Sequence, residues 1–241
     1  MSNILLINNK IEKFDKEIVV SGDKSLSIRW VLLASQAIGK SRSYNLLMSE
    51  DVVAALEAIK KLGIKVLIRK AYCEIYGKGI NNFKYKNGLV INAKNSGTLG
   101  RLILGLLIKS PKKIKIIGDK SLSKRDFSRV TIPLEKFGAK FYYKVKGRLP
   151  LSILGSQSLS GINYIENKGS AQCKSSVMLA AINSSGTTSI KAKKSRNHSE
   201  LLFKYLRIPI KIKKTKKYDF ININKPKKIN AFNYKIPGDI S

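Results

Sequence analysis

The 241-residue sequence predicts an α/β fold. Amphipathic helical runs alternate with short β-branched runs along the whole chain, which is the pattern of strands interleaved with helices. The hydrophobic fraction of 43% is ample for a buried core. No linker or low-complexity tract divides the chain, so the alternation belongs to one continuous architecture.

Taken in order, residues 18–21 read as β-like and lead into a helix over 25–37, with Gly39 beyond it. Ser49-Glu50-Asp51 opens a second helix that places Val52, Leu56 and Ile59 on one face, and Gly63 closes it. Residues 65–69 and 89–92 are β-like, and Asn95-Ser96-Gly97-Thr98 precedes a helix over 99–108. After a β-like run at 114–118, a helix over 127–137 carries Val130, Leu134 and Phe137 at helical spacing, with Gly138 as its stop. Strands at 140–143 and 151–154 come next. A small, apolar helix over 170–182 ends in Asn183-Ser184-Ser185-Gly186, and one over 197–206 carries Leu201, Leu202 and Tyr205. The lysine-dense run 211–218 reads as a solvated strand and turn.

Composition narrows the chemistry. Lys and Arg number 47 against 15 Asp and Glu, a net charge of +32. Only nine of the basic residues are arginine, whereas specific readers of bases favour arginine's bidentate fork. The charge therefore points to a positive field for small anionic substrates rather than to nucleic acid as the main partner. A single histidine, His198, excludes histidine-rich metal sites and reads as a surface or capping residue. No apolar run approaches the roughly 18 residues of a membrane span, and no signal peptide is expected. Cys73 and Cys173 make no disulfide framework, which fits a reducing cytoplasm.

The chemistry concentrates at helix amino termini, where free N–H groups and the positive end of the dipole attract anions. Lys24 and Ser25 open the first helix, with Arg29 four to five residues on and able to share their face. Asn95-Ser96-Gly97-Thr98 is a second start, Lys124-Arg125 a third, Ser170-Ala171-Gln172 a fourth, and Arg196 marks a fifth. One turn is used twice. Gly22-Asp23-Lys24-Ser25-Leu26-Ser27 recurs as Gly118-Asp119-Lys120-Ser121-Leu122-Ser123, with Arg29 opposite Arg125. Pro237-Gly238-Asp239-Ile240-Ser241 looks like another such turn.

In this order the segments resemble the enolpyruvyl transferases, in particular the 3-phosphoshikimate 1-carboxyvinyltransferase (EPSP synthase) family. The residues that carry the match are Ser21 through Arg29, Asn95-Ser96-Gly97-Thr98 with Arg101, Gly118 through Arg125, Gly169 through Ser175, Ser195-Arg196-Asn197-His198-Ser199-Glu200, and the terminal Pro237-Gly238-Asp239-Ile240-Ser241. The resemblance implies transfer of the carboxyvinyl group of phosphoenolpyruvate to the 5-hydroxyl of shikimate 3-phosphate, with release of phosphate and with no cofactor or metal. It implies Lys24 as the catalytic residue shared by both substrates. Ser25, Arg29, Ser170, Ala171, Gln172 and Arg196 would hold shikimate 3-phosphate; Asn95, Gly97, Arg125 and Gln172 would hold phosphoenolpyruvate. With glycine at 97, sensitivity to the herbicide glyphosate is implied as well.

The resemblance also implies a division of the chain. Residues 1–20 would belong with the strands of a second domain. Residues 21–236 would form one substrate-binding domain of three βαβαββ units, and 237–241 would begin the crossing into the second domain. Family members are nearly twice as long, so this chain would be the amino-terminal part, inactive alone. Its partners would be the two substrates and the carboxy-terminal half of the enzyme if separately encoded. Ile28 and Trp30 depart from the family's usual histidine and small residue, beside the ligand residues rather than at them. The alternatives are a relative acting on UDP-N-acetylglucosamine, whose family lacks the pattern at 22–29, and a non-catalytic basic protein binding anions or nucleic acid.

Overall fold

The computed structural model describes residues 17–239 together with Leu6, Asn8, Glu12, Lys13 and Asp15. The strand region expected over 1–20 thus falls largely outside the described residues, as do Ile240 and Ser241 of the last turn. Seven helices are found among the described residues: α1 (Lys24–Gln36), α2 (Glu50–Lys61), α3 (Gly97–Leu106), α4 (Lys120–Ser123), α5 (Ser128–Glu135), α6 (Ala171–Ala181) and α7 (His198–Tyr205). Twelve strands accompany them in the same residues. They are β1 (Ile38–Tyr44), β2 (Lys65–Ile68), β3 (Tyr72–Lys78), β4 (Val90–Asn92), β5 (Ile114–Ile117), β6 (Lys140–Tyr143), β7 (Leu151–Leu154), β8 (Asn163–Glu166), β9 (Thr187–Lys193), β10 (Ile210–Lys214), β11 (Tyr218–Asn224) and β12 (Asn233–Lys235).

The strands form three four-stranded sheets, ordered β12-β1-β3-β2, β4-β5-β7-β6 and β8-β9-β11-β10. Each sheet begins with a parallel pair and continues with two antiparallel ones. The second and third sheets are each built from consecutive βαβαββ segments. The first is closed by the far end of the chain: β12 lies parallel to β1, with Arg42 opposite Asn233, in the place that β4 and β8 hold in their own sheets.

The first helix of each unit, α1, α3 and α6, is buried on nearly every side. α1 inserts Ile28, Trp30, Val31, Leu32 and Leu33 into the core, and α3 and α6 approach so closely that a Cβ on Gly105 would meet the Ser176 carbonyl oxygen. Trp30, fully buried, meets Phe232 edge-on, so the departure at this position is a core substitution. The outer helix α2 is amphipathic as expected. It buries Val52, Leu56 and Ile59, with Glu50 and Asp51 in its first turn and Lys60 and Lys61 in its last, where each charge suits the dipole. Cys73 and Cys173 are free and buried. No helix among the described residues is long and apolar enough to cross a membrane.

One expectation about the strands needs correction. Residues 18–21 are not a strand: Gly22 makes a single antiparallel bridge with Gly238, flanked by Asp23 N donating to Pro237 O at 2.9 Å and Asp239 N donating to Ser21 O at 3.0 Å. The two ends of the domain are thereby stitched together by backbone bonds, with Val20 against Gly238 and the buried Ile236 against Gly22. The strand and turn expected at 211–218 are β10, a turn and the first residue of β11, and Lys211 and Lys213 alternate outward along β10.

Candidate functional site

At the start of α1, the Leu26 N–H donates to Asp23 Oδ1 at 2.5 Å and Ser27 Oγ donates to the Asp23 carbonyl at 2.8 Å. This cap leaves Lys24 and Ser25 at the rim of a cavity of about 440 Å³ that Gly22, Leu47, Arg196 and Asp239 also line. Lys24 is half exposed, and its Nζ is 3.0 Å from Asp51 Oδ2 at the start of α2, which holds the ammonium at the cavity mouth. The structure therefore brings Lys24, Ser25 and Arg196 together.

Arg29 lies beneath them, 4% exposed. Its Nε donates to Ser199 Oγ at 2.8 Å, Nη2 to Ser175 Oγ at 3.0 Å and Nη1 back to the Ser25 carbonyl at 3.0 Å, and Ser199 and Ser175 are themselves 2.7 Å apart. Burial pulls its pKa down to about 10, with Glu200 and Asp23 opposing that and Arg196 adding to it. The guanidinium stays charged at neutral pH, and its fork ties α1 to α6 and α7. Behind it a fully buried Lys174 pairs with Glu200 at 2.5 Å.

A second group gathers where α3 and α6 begin. Ser96 caps α3 by accepting from Leu99 N at 3.2 Å, and Ser170 caps α6 by accepting from Cys173 N at 3.3 Å. Gln172 Nε2 donates to Thr98 Oγ1 at 3.0 Å, which sets the two helix starts side by side. Arg101 Nη1 donates to Gln172 Oε1 at 2.7 Å, its guanidinium lies over Phe127, and its pKa is lowered chiefly by burial. Arg125 Nη2 donates to Asn95 Oδ1 at 2.9 Å. Gly97 sits between the two arginines: a Cβ there would come 2.9 Å from Arg101 Nη1 and 3.0 Å from Arg125 Nη1. Glycine is the residue that lets both guanidinium groups face the helix start together.

Of the residues expected from sequence, Asn95, Gly97, Arg125 and Gln172 thus form one cluster with Ser170 and Ala171 beside it. Lys24, Ser25 and Arg196 form another, and Arg29 sits under the second. Sequence reasoning gave the partners no role, although Arg101, Ser175 and Ser199 lie in the segments that carry the resemblance. Arg101 is the clamp on Gln172, and its spacing of four from Gly97 is the signal that could have found it. Asp51, Ser175 and Ser199 gave no such signal. His198 is not a surface residue. It is half-buried, Nδ1 lies 3.9 Å from Asp23 Oδ1, and burial followed by the charge of Arg29 depresses its pKa.

Fold and site define the class: a three-unit α/β domain that gathers helix amino termini, arginines and one lysine into a set whose chemistry suits anions. A model of the family described as EPSP synthase (3-phosphoshikimate 1-carboxyvinyltransferase) matches residues 8–241. The chain belongs to the EPSP synthase family. It is 35% identical over 235 residues to the 3-phosphoshikimate 1-carboxyvinyltransferase of Bacillus subtilis (strain 168), covering 97% of this chain and 54% of that protein. The protein of the same name from Ruthia magnifica is 39% identical over 223 residues, 92% of this chain and 50% of its own. The EPSP synthase structure from Acinetobacter baumannii superposes with a TM-score of 0.85 at 31% identity, covering 92% of this chain and 50% of that one. The chain spans about half the length of the curated relatives it matches.

Proposed function

We propose that this chain forms one face of a site that transfers the carboxyvinyl group of phosphoenolpyruvate to the 5-hydroxyl of shikimate 3-phosphate. In the net reaction a carbon–oxygen bond forms between that hydroxyl and C2 of phosphoenolpyruvate, the bond from C2 to the phosphate oxygen breaks, and the hydroxyl proton leaves with phosphate. The observation that carries the reading is a pair of clusters whose groups suit anions. One is Lys24, Ser25 and Arg196 around the cavity; the other is Arg125, Asn95 and the Gly97 helix start, with Gln172 held between α3 and α6.

In this reading Lys24, anchored by Asp51, stands between the two anions and balances charge as it moves from one to the other. Ser25, Ser170, Ala171, Gln172 and Arg196 hold shikimate 3-phosphate, and Arg29 shapes that subsite from beneath. Arg125, Asn95 and Gly97 hold phosphoenolpyruvate, with Gln172 reaching both. The same reading assigns 21–236 to the substrate-binding domain, 1–20 to the strands of a second domain and 237–241 to the crossing between them. Turnover draws on that second domain, so the 241-residue chain binds shikimate 3-phosphate without releasing phosphate.

Calorimetric titration with shikimate 3-phosphate, with shikimate as the control, tests this. Binding that requires the phosphate and weakens at least about tenfold in Lys24→Ala is expected, the scale of one lost charge-assisted hydrogen bond. Equal affinity for shikimate would overturn the substrate assignment. Steady phosphate release by this chain, dependent on both substrates, would overturn the division of labour.

A further inference from the structure

The three buried helices have two ends. Their amino termini carry the site described above. Their carboxyl ends meet around a separate cleft of about 240 Å³. Ile38 lines it just past α1, Lys109 at the end of the 3-10 turn after α3, and Asn183 just past α6. Ile80 and Asn81, from the turn after β3, and Lys225, Lys227 and Lys228, from the loop after β11, make the rest of the wall. The 13 residues of α1 separate this cleft from the Lys24 cavity, a distance of about 20 Å at the helical rise.

Lysines near helix carboxyl ends ordinarily offset the dipole, so the charges must be weighed. Three helix ends present about −0.5 each, together about −1.5. Four ammonium groups exceed that by more than two charges. Among the described residues no carboxylate lines the cleft, and none of the four lysines forms an ion pair. Asn183 adds an independent sign. It is 3% exposed, it lines the cleft, and neither its Nδ2 nor its Oδ1 has a hydrogen-bond partner. Leaving a buried amide unpaired is unfavourable, and a polar ligand would complete it.

The wall is also held in place. Ile38 N donates to Ile229 O at 2.8 Å and Ala231 N donates to Ile38 O at 3.2 Å, which fixes the lysine loop against the end of α1. Pro226, between the first two lysines of that loop, is buried. A fixed loop backbone removes its own share of the ordering cost on binding.

We propose that this cleft binds a compact polyanion built on condensed phosphate, either free pyrophosphate or the phosphate tail of a nucleotide. Lys109, Lys225, Lys227 and Lys228 supply the charge, and the Asn183 amide donates the buried hydrogen bond. The space equals that of about eight waters, which suits two linked phosphates. The inference stands on residues outside the proposed transferase site and does not depend on that assignment.

Calorimetric titration of the 241-residue chain with inorganic pyrophosphate tests it, with orthophosphate and ADP as comparisons. Expected is one pyrophosphate bound about tenfold or more tighter than orthophosphate, and weakened about tenfold in the surface variant Lys227→Gln/Lys228→Gln. The binding should weaken in Asn183→Ala and persist in Lys24→Ala. ADP tighter than pyrophosphate assigns the site to a nucleotide tail; weaker ADP assigns it to free condensed phosphate. Absence of pyrophosphate binding overturns the proposal. So does loss in Lys24→Ala, which moves the binding to the other site, or equal weakening in Lys211→Gln/Lys213→Gln on β10, which makes it general charge attraction. Far-UV circular dichroism of each variant confirms that the lysine replacements leave the fold intact.

Discussion

The same six residues, Gly-Asp-Lys-Ser-Leu-Ser, occur at 22–27 and at 118–123, and the structure gives them the same turn and different fates. In both copies the aspartate caps the helix: Leu26 N donates to Asp23 Oδ1 at 2.5 Å, and Leu122 N to Asp119 Oδ1 at 2.6 Å. Beyond the turn they part. Ile-Arg-Trp-Val-Leu-Leu carries α1 through the core for 13 residues, whereas Lys-Arg-Asp ends α4 after four. The arginine downstream of each copy shares the contrast. Arg29 is buried in a cage of serines, and Arg125 is exposed and held by Asn95. A short motif encodes a capped helix start; the hydrophobicity of the next few residues decides whether its arginine becomes structure or a hand extended to a ligand.

The contrast breaks most visibly at the two arginines. Arg29→Met should cost about 2–4 kcal/mol of stability, because it leaves Ser199 without its buried donor, Ser175 with Ser199 as its remaining one, and Glu200 without the guanidinium charge nearby. Arg125→Met should stay within about 0.5 kcal/mol of the parent, as exposed replacements do, while weakening phosphoenolpyruvate binding. Urea unfolding of both variants checks the pair. Equal stability losses would mean that the two copies have equivalent roles after all.

This contrast also marks how far sequence could see. The helices were legible because caps, stops and apolar spacing are local, and α1 and α6 were placed by the residues that end them (Gly39; Asn183-Ser184-Ser185-Gly186) and by the small apolar composition of α6, although burial on all sides leaves them little amphipathic pattern. The strand β1 was not legible: the two side chains it buries are Ser41 and Ser43, so no apolar alternation announces a central strand. The strands β8, β9 and β12 escaped for a related reason. They are short or rich in Thr, Ser, Asn and Lys, and distant pairing rather than composition makes them strands. At the site, the residues that begin helices were visible, and the pairings that position them, Lys24 with Asp51 of the next helix and Arg29 with Ser175 and Ser199 of the third unit, were not. Those contacts span 24 to 170 residues, and no spacing rule reaches that far.

Gly97→Ala sharpens the comparison by striking only the second copy. The added methyl would press on Arg101 Nη1 and Arg125 Nη1, both far ends of flexible side chains, so the helix should keep its stability while the guanidinium groups move aside. Arg29 is untouched. Phosphoenolpyruvate affinity, measured by titration with shikimate 3-phosphate present, should fall about tenfold, the scale of one displaced charge-assisted hydrogen bond. Glyphosate binding should weaken with it. Unchanged affinity for both would remove Gly97 and Arg125 from the proposed subsite.

The smallest effect concerns pH and belongs to the first copy alone, since only Asp23 has a histidine nearby. Burial, then the positive charge of Arg29, holds the His198 pKa below its ordinary 6.5, with Asp23 opposing. The unfolded chain therefore binds a proton more readily than the folded one between the two values, so stability should rise with pH in that window. The contribution is full above about pH 7.5 and declines as pH falls through 6.5 toward the folded value. Denaturant midpoints from pH 8 to 5.5 should fall in the parent and flatten in His198→Asn. The same slope in both would assign the titration elsewhere. An opposite slope would mean that Asp23 outweighs both burial and Arg29, and that the capped turn of the first copy stabilises a charged imidazole.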